Sequence, residues 1–494
     1  MTFTISMLKQ RNVIGLLLGP LLFLLVLLLP LPAGMTTQGL HVAAVTVLMA
    51  VWWMTEAIPI PATALLPIVL FPVLGVLSGS EVTRAYGNHL IYLFLGGFLI
   101  AVTMRKWNLH HRIALQTIRL VGVTPQRIVL GFMLATAFLS MWISNTAATM
   151  MMVTIAMAVL KEVDHDIKPE PGEFWFGTVL MLGIGYAASV GGVATLIGSP
   201  PNAIFAGVVE KTYGISISFV EWMKFALPLS LVMLFIIWFY LVRVLLPNAE
   251  VHMPGSRALI RDQITRLGPM SRQEKMVAVV FCAVASLWIL RGLYQPASLA
   301  MVKDSTIAMA GAMLLFLIPV DLKKREFLLD WKTAVTIPWD IIILFGGGFA
   351  LAQGFSESGL TRWLAEQLSV LQGIDVILII AAVVLLVVFL TEVTSNTATA
   401  SLLLPVMGAL ATAIDMNPLG LMVAVVVAAS FAFMLPVATP PNAIVFSSRY
   451  ISIAQMVAAG FRLNLIGVVV ITGFVYLLLP WAWGLDLEAV PFNR

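Results

Sequence analysis

The sequence predicts an all-α polytopic membrane protein built as an inverted repeat, with eleven transmembrane spans and two re-entrant hairpins. Three observations carry this. The 494 residues are 60% hydrophobic and 11% charged, with a mean hydropathy of +1.01, which excludes an ordinary soluble chain. Apolar runs of helix-spanning length begin at residues 13–31 and recur to residue 483. Three motifs occur twice, in the same order, once in each half.

The first run follows Lys9 and Arg11 and reads as a retained span within an N-terminal segment, residues 1–40; the LPAG after it offers the alternative of a signal-peptide cleavage site. Basic residues cluster at Lys9/Arg11, Arg105 to Arg127, Arg243 to Lys275, Lys323 to Lys332 and Arg449/Arg462. Cytoplasmic loops are enriched this way, so the N-terminus is expected in the cytoplasm and the tail GLDLEAVPFNR outside. A cytoplasmic linker, 244–275, then separates a first repeat, 41–243, from a second, 276–494. The net charge of +4 is spread through loops and implies no nucleic-acid partner. Cys282 is the single cysteine, so no intrachain disulfide forms, and no ligand set for zinc or haem is present.

Gly96-Gly97-Phe98 recurs as Gly347-Gly348-Phe349, an offset of 349 − 98 = 251, and Ser144-Asn145-Thr146 recurs as Ser395-Asn396-Thr397, again 395 − 144 = 251. GSPPNAI at 198–204 recurs as ATPPNAI at 438–444, an offset of 440 − 200 = 240. With the first span outside the duplication each half holds five spans, and an odd number makes the halves cross the membrane in opposite senses. The apolar segments around the triplets have loops assigned to one side at both ends. They are therefore read as hairpins, 127–160 and 376–410, with the triplets at their tips.

Non-helical backbone at bilayer depth has to be buried in protein or line a wet cavity. Hairpin tips free such backbone, and so do the proline pairs Pro200-Pro201 and Pro440-Pro441, which break helices around 198–202 and 438–442. Freed carbonyls suit sodium, and the new helix N-termini suit carboxylates. A lone Ser-Asn-Thr triplet is as readily interhelical glue, but glue needs neither the proline breaks nor their duplication. Two copies make two halves of one central site.

The motifs SNTA at 144–147, SNTAT at 395–399, GSPPN, ATPPN and SFAFMLPVATPPNAIV at 430–445 resemble the divalent anion:sodium symporter family over essentially the whole chain. The resemblance implies a homodimer in the inner membrane, with a scaffold and an elevator-type transport domain made of two hairpins and two broken helices. It implies dicarboxylate, citrate or sulfate as substrate, with Na+ as coupling ion. It assigns Ser144, Asn145, Thr146 and Ser199 to one end of the substrate, and Ser395, Asn396, Thr397, Thr439 and Pro440 to the other. The first sodium site would use Ser140, Ser144, Asn145 and Gly198, and the second Thr391, Thr394, Asn396 and Ala438, several through backbone carbonyls. Thr394 stands where some relatives have a smaller residue, so its hydroxyl either adds a ligand or faces a neighbour.

None of these motifs contains Lys, Arg or His, so an arriving dianion meets only neutral dipoles, and bound sodium is the available compensation. Glu392, whose counterpart is Met141, reads as a hydrogen-bonded structural acid facing the broken-helix backbone, since a bare carboxylate would repel the substrate. The alternative is a proton or cation group beside the second sodium site. Glu56 is expected to end a span near the cytoplasm, the Gly pairs to pack helices closely, and His110-His111 to lie at a solvated interface.

The reading that follows is a sodium-coupled importer of C4 dicarboxylates such as succinate, malate and fumarate. Two symmetry-related anion arms suit a substrate with two similar carboxylate ends. A sodium-independent exchanger is the competing transporter. A channel would need a continuous polar pore, and an enzyme a nucleophile with a base, and neither triplet has His or Lys beside its Ser.

Overall fold

The computed structural model describes residues 2–122, 124–163, 175–245, 256–294, 299 and 301–489. Residues 246–255 of the expected linker and 490–494 of the expected outer tail lie outside the described residues. Apart from the short antiparallel pair β1 (Pro319–Asp321) and β2 (Glu326–Phe327), the regular structure is helical.

The first half begins with α1 (Thr2–Leu28), α2 (Thr37–Thr55), the short α3 (Ile60–Thr63) and α4 (Leu66–Val73), then α5 (Gly79–Ala85), α6 (His89–Lys106) and α7 (Leu109–Val121). The first triplet follows, between α8 (Pro125–Ser140) and α9 (Asn145–Val163). The first proline break separates α10 (Trp175–Val193) from α11 (Pro200–Tyr213), and α12 (Phe219–Tyr240) closes the half.

The second half runs from α13 (Ser256–Leu267), α14 (Arg272–Leu293) and α15 (Asp304–Leu317) through β1 and β2 to α16 (Trp331–Ala334), α17 (Trp339–Glu357) and α18 (Leu360–Leu368). The second triplet lies between α19 (Val376–Leu390) and α20 (Asn396–Ala413), and the second break between α21 (Pro418–Ala429) and α22 (Pro440–Ser447). Last come α23 (Ile453–Gly473) and α24 (Leu479–Trp483).

Local chemistry sets many of the helix starts. Ser78 with Glu81, Ser218 with Glu221, Ser271 with Glu274 and Ser452 with Gln455 each form a capping box that satisfies two otherwise unpaired N–H groups. Proline occupies the first turn of α8, α11, α21 and α22, where its missing N–H costs nothing.

Eleven spans were expected; nine helical stretches among the described residues are long and apolar enough to cross a membrane, or ten if Leu360–Leu371 and Val376–Leu390, bent by 116°, form one span. The difference has a physical origin. Ile60–Val73, Pro125–Ser140, Asn145–Lys161, Asp304–Leu317 and Pro418–Ala429 are apolar but only 10–17 residues long. Three of the five begin or end at a triplet or a proline break. Burial differs widely among the long stretches. The stretch Arg11–Leu28 is 11% buried, as a helix facing lipid would be, whereas Trp175–Val193 is entirely buried.

The two halves do not form separate lobes. α8 and α9 both pack on α10, and α10 also receives α22 from the other half; α19 and α20 both pack on α21, and α20 also receives α11. The glycine motifs serve close packing, as expected. A Cβ on Gly96 would meet the backbone of Ala308 at 2.6 Å, and one on Gly347 the carbonyl oxygen of Ala64 at 2.5 Å.

Candidate functional site

Each proline break leaves an extended segment before a new helix. Ser199 (φ −137°, ψ 137°) precedes α11 and Thr439 (φ −142°, ψ 150°) precedes α22, so both new helix N-termini are aimed by the same backbone turn. The Asn of each PPN motif holds its break in place. Asn202 Nδ2 donates to the carbonyls of Gly192, Val193 and Thr195, the last at 2.7 Å; Asn442 Nδ2 donates to those of Ala432 and Leu435 at 2.9 and 3.1 Å. Both asparagines are wholly buried.

The residues around the two triplets meet these breaks through matched contacts. Ser140 Oγ lies 2.5 Å from Asn145 Oδ1 and 2.7 Å from the carbonyl oxygen of Ala188. Thr391 Oγ1 lies 2.8 Å from both Asn396 Oδ1 and the carbonyl oxygen of Ala429. The offsets are 391 − 140 = 251, 396 − 145 = 251 and 429 − 188 = 241, those of the repeated motifs to within one residue. A hydroxyl has one hydrogen, so it donates to one of its two acceptors and turns lone pairs toward the other. In each half, then, two oxygens approach with no proton between them, an arrangement that a small cation relieves.

Gly192 closes the first of these sites: a methyl there would come within 2.5 Å of Asn145 Oδ1 and 3.0 Å of the Gly198 carbonyl oxygen. The tip is fixed further by Thr195 Oγ1, which donates to the Met141 carbonyl at 2.6 Å, and by Trp142, stacked on Phe219 and Trp288 with ring centroids at 5.9 and 6.5 Å.

Ser144, Asn145, Thr146, Gly198, Ser199, Thr394, Ser395, Asn396, Thr397, Ala438, Thr439 and Pro440 all line one cavity of about 970 Å³. Ser140 and Thr391 do not reach it; they lie fully buried behind the two asparagines. Thr394 faces neighbours: its hydroxyl donates to the Leu390 carbonyl at 2.9 Å and meets Thr399 Oγ1 at 2.6 Å. Ser199 makes no side-chain cap, whereas Thr439 Oγ1 accepts from Asn442 N at 3.2 Å.

Four charged groups also line the cavity: Arg11 and Arg105, from clusters expected in the cytoplasm, Glu56, expected near it, and Asp340, in the first turn of α17. Glu56 ends α2 in a left-handed turn (φ 51°) and pairs with Arg11 at 3.8 Å. His110 departs from expectation. It is buried, lines the cavity and holds the Met104 carbonyl at 3.2 Å through Nδ1, because α7 lays its apolar face on α8 and takes His110 under with it.

Glu392 is the structural acid expected. Its oxygens accept from the backbone N–H groups of Phe433, Met434 and Leu435, at 2.7, 2.9 and 3.0 Å, and from Asn464 Nδ2 at 2.8 Å. It pins the strand of chain between α21 and Thr439.

Two residues of the site escaped sequence reasoning. Ser189 lines the cavity, and Ser430 touches Ser199 Oγ at 3.4 Å. Their signal was the repeated Ala187-Ala188-Ser189 and Ala428-Ala429-Ser430, at an offset of 430 − 189 = 241.

Two broken helices and two polar triplets lining one cavity inside a bundle of apolar helices define a membrane transporter. The chain belongs to the divalent anion:sodium symporter family: residues 10–484 match the model of the sodium:sulfate symporter transmembrane region. It is a transporter and not an enzyme. It is 47% identical over 489 residues, 97% of this chain and 94% of the relative, to the sodium-dependent dicarboxylate transporter SdcS of Staphylococcus saprophyticus. It is 46% identical over 484 residues to SdcS of Staphylococcus aureus strain USA300, covering 97% of this chain and 93% of that one. Its fold is similar to two solved transporters: YdaH of Alcanivorax borkumensis (TM-score 0.57, 14% identity, 89% of this chain and 99% of that one) and MtrF of Neisseria gonorrhoeae (TM-score 0.59, 12% identity, 99% and 100%).

Proposed function

We propose that this chain imports C4 dicarboxylates, succinate, malate and fumarate, across the bacterial inner membrane by electrogenic sodium symport. Sodium is the coupling ion. One observation carries the reading: the paired hydroxyl–asparagine contacts at Ser140/Asn145 and Thr391/Asn396, which flank a cavity whose triplets and proline breaks contain no basic side chain. A dianion placed there is stabilised by neighbouring cations and by the N-termini of α11 and α22. The names of the curated relatives support dicarboxylate over sulfate.

In this reading Ser144, Asn145, Thr146 and Ser199 hold one carboxylate, and Ser395, Asn396, Thr397, Thr439 and Pro440 the other. Ser140, Ser144, Asn145 and Gly198 hold the first sodium; Thr391, Asn396, Ala438 and the backbone of Thr394 hold the second. Residues 41–243 and 276–494 act as inverted repeats joined by a cytoplasmic linker. The hairpins and broken helices of both move together, elevator-fashion, against a scaffold of the remaining spans in a homodimer. With the N-terminus in the cytoplasm, the cavity beside Arg105 and Asp340 is open inward.

Uptake of labelled succinate into proteoliposomes tests this. Empty vesicles with an external sodium gradient should accumulate succinate, and solid-supported-membrane currents should report net positive charge moving inward, more than two sodium ions per dianion. Uptake confined to vesicles preloaded with dicarboxylate would replace symport with exchange.

A further inference from the structure

We propose that Ser189 is a substrate-binding residue: its hydroxyl, on α10 of the first repeat, donates a hydrogen bond to the carboxylate held at the N-terminus of α22 of the second. The inference rests on the dicarboxylate transport proposed above. It starts from the side chain itself. Ser189 is 1% exposed and lines the cavity, and its hydroxyl has no hydrogen-bond partner among the described residues. Thr103, Thr136 and Ser401, buried on helices, fold back on the carbonyl one turn earlier at 2.6–2.8 Å. Ser189 does not. The other buried hydroxyls without a partner among the described residues, Thr63 and Thr472, lie outside the cavity. A buried hydroxyl left unpaired is costly, so such a group inside a binding cavity marks a position that its ligand satisfies.

The direction follows from helical spacing. Gly185, Ser189 and Gly192 stand at i, i+4 and i+7 on one face of α10. A Cβ on Gly185 would meet Val445 of α22 at 3.0 Å, and one on Gly192 would meet Asn145 Oδ1 at 2.5 Å. Ser189 lies between them. It therefore faces the gap between the first hairpin tip and the start of α22, where Thr439 and Pro440 line the same cavity.

The second repeat supplies an independent view of the same position. Ser430, the counterpart of Ser189, is equally buried and touches Ser199, the residue that starts α11. The position after the paired alanines thus reaches across to the broken helix of the opposite repeat. In the second half it meets a protein hydroxyl; in the first, Thr439 Oγ1 is already engaged with Asn442 N, which leaves Ser189 to the ligand.

The test is succinate binding to the purified full-length protein by calorimetry in saturating sodium, for wild type, Ser189→Ala and Ser189→Thr. Ser189→Ala should lower succinate affinity by roughly tenfold, the loss of one hydrogen bond to a charged group. Its thermal midpoint without ligand should equal or exceed that of wild type, since an unpaired buried hydroxyl is removed. Ser189→Thr, which keeps the hydroxyl, should recover much of the affinity. Wild-type affinity in Ser189→Ala would overturn the assignment, and so would a loss of sodium affinity measured without succinate, which would make the hydroxyl a cation ligand. A wild-type protein that binds no succinate in sodium would overturn the transport reading itself, and this inference with it.

Discussion

Asn464 Nδ2 donates to Glu392 Oε1 at 2.8 Å, and that single carboxylate also gathers three consecutive backbone N–H groups, Phe433 to Leu435. An acid three residues from the triplet proposed to bind anions is tolerable because all of its charge is spent on the break it supports. Glu392→Ala leaves four donors without this acceptor, at about 1–3 kcal/mol for each one that stays unpaired, so the thermal midpoint should fall steeply. Glu392→Gln keeps one oxygen and should fall between the two, with sodium affinity following stability. A Gln variant of unchanged stability but altered sodium affinity would make Glu392 a coupling group instead.

The tip residues should separate by ligand. Thr146→Val and Thr397→Val remove hydroxyls that line the cavity, and each should weaken succinate binding by about 1.5–3 kcal/mol while sodium binding without succinate changes little. Asn145→Ala and Asn396→Ala remove the oxygens that face Ser140 and Thr391 and should weaken sodium binding even without substrate. Calorimetry on purified protein measures both; the reverse pattern would exchange the two assignments.

Gly191 controls how α8 seats on α10. A Cβ there would lie 2.4 Å from both the Cα and the carbonyl oxygen of Ala137, backbone atoms that cannot step aside. Gly191→Ala should push α8 off α10, cost about 1–3 kcal/mol or more of stability and reduce sodium affinity by drawing Ser140 away from Ala188. Gly79→Ala, with open space around it, should do neither.

His110 predicts a pH effect on stability. α7 is not among the candidate spans, yet burial pushes the His110 imidazole down to about 4, against the hydrogen bond to Met104. The unfolded chain therefore takes up this proton first, below about pH 6.5, and the stability that neutral His110 confers is present above that pH and lost on the way down to about 4. Thermal midpoints measured from pH 7.5 to 5 should fall more steeply for wild type than for His110→Gln. Equal slopes would mean that His110 is not the group titrating.

The sequence alone determined the membrane class, the duplication and nine polar residues that line the cavity, because each leaves a chemical mark on side chains: apolar length, repeated triplets, paired prolines. It also placed Glu392 in its structural role, since an acid near an anion site has to be neutralised by donors. The tertiary structure alone decided which backbone carbonyls answer those side chains. Ala188 and Ala429 carry no polar signature, and a carbonyl looks the same at every residue; only the packing of α8 on α10 and of α19 on α21 brings Ser140 and Thr391 to those two. Burial of His110 and the aim of Ser189 were decided in the same way, by which face of an otherwise ordinary helix its neighbours cover.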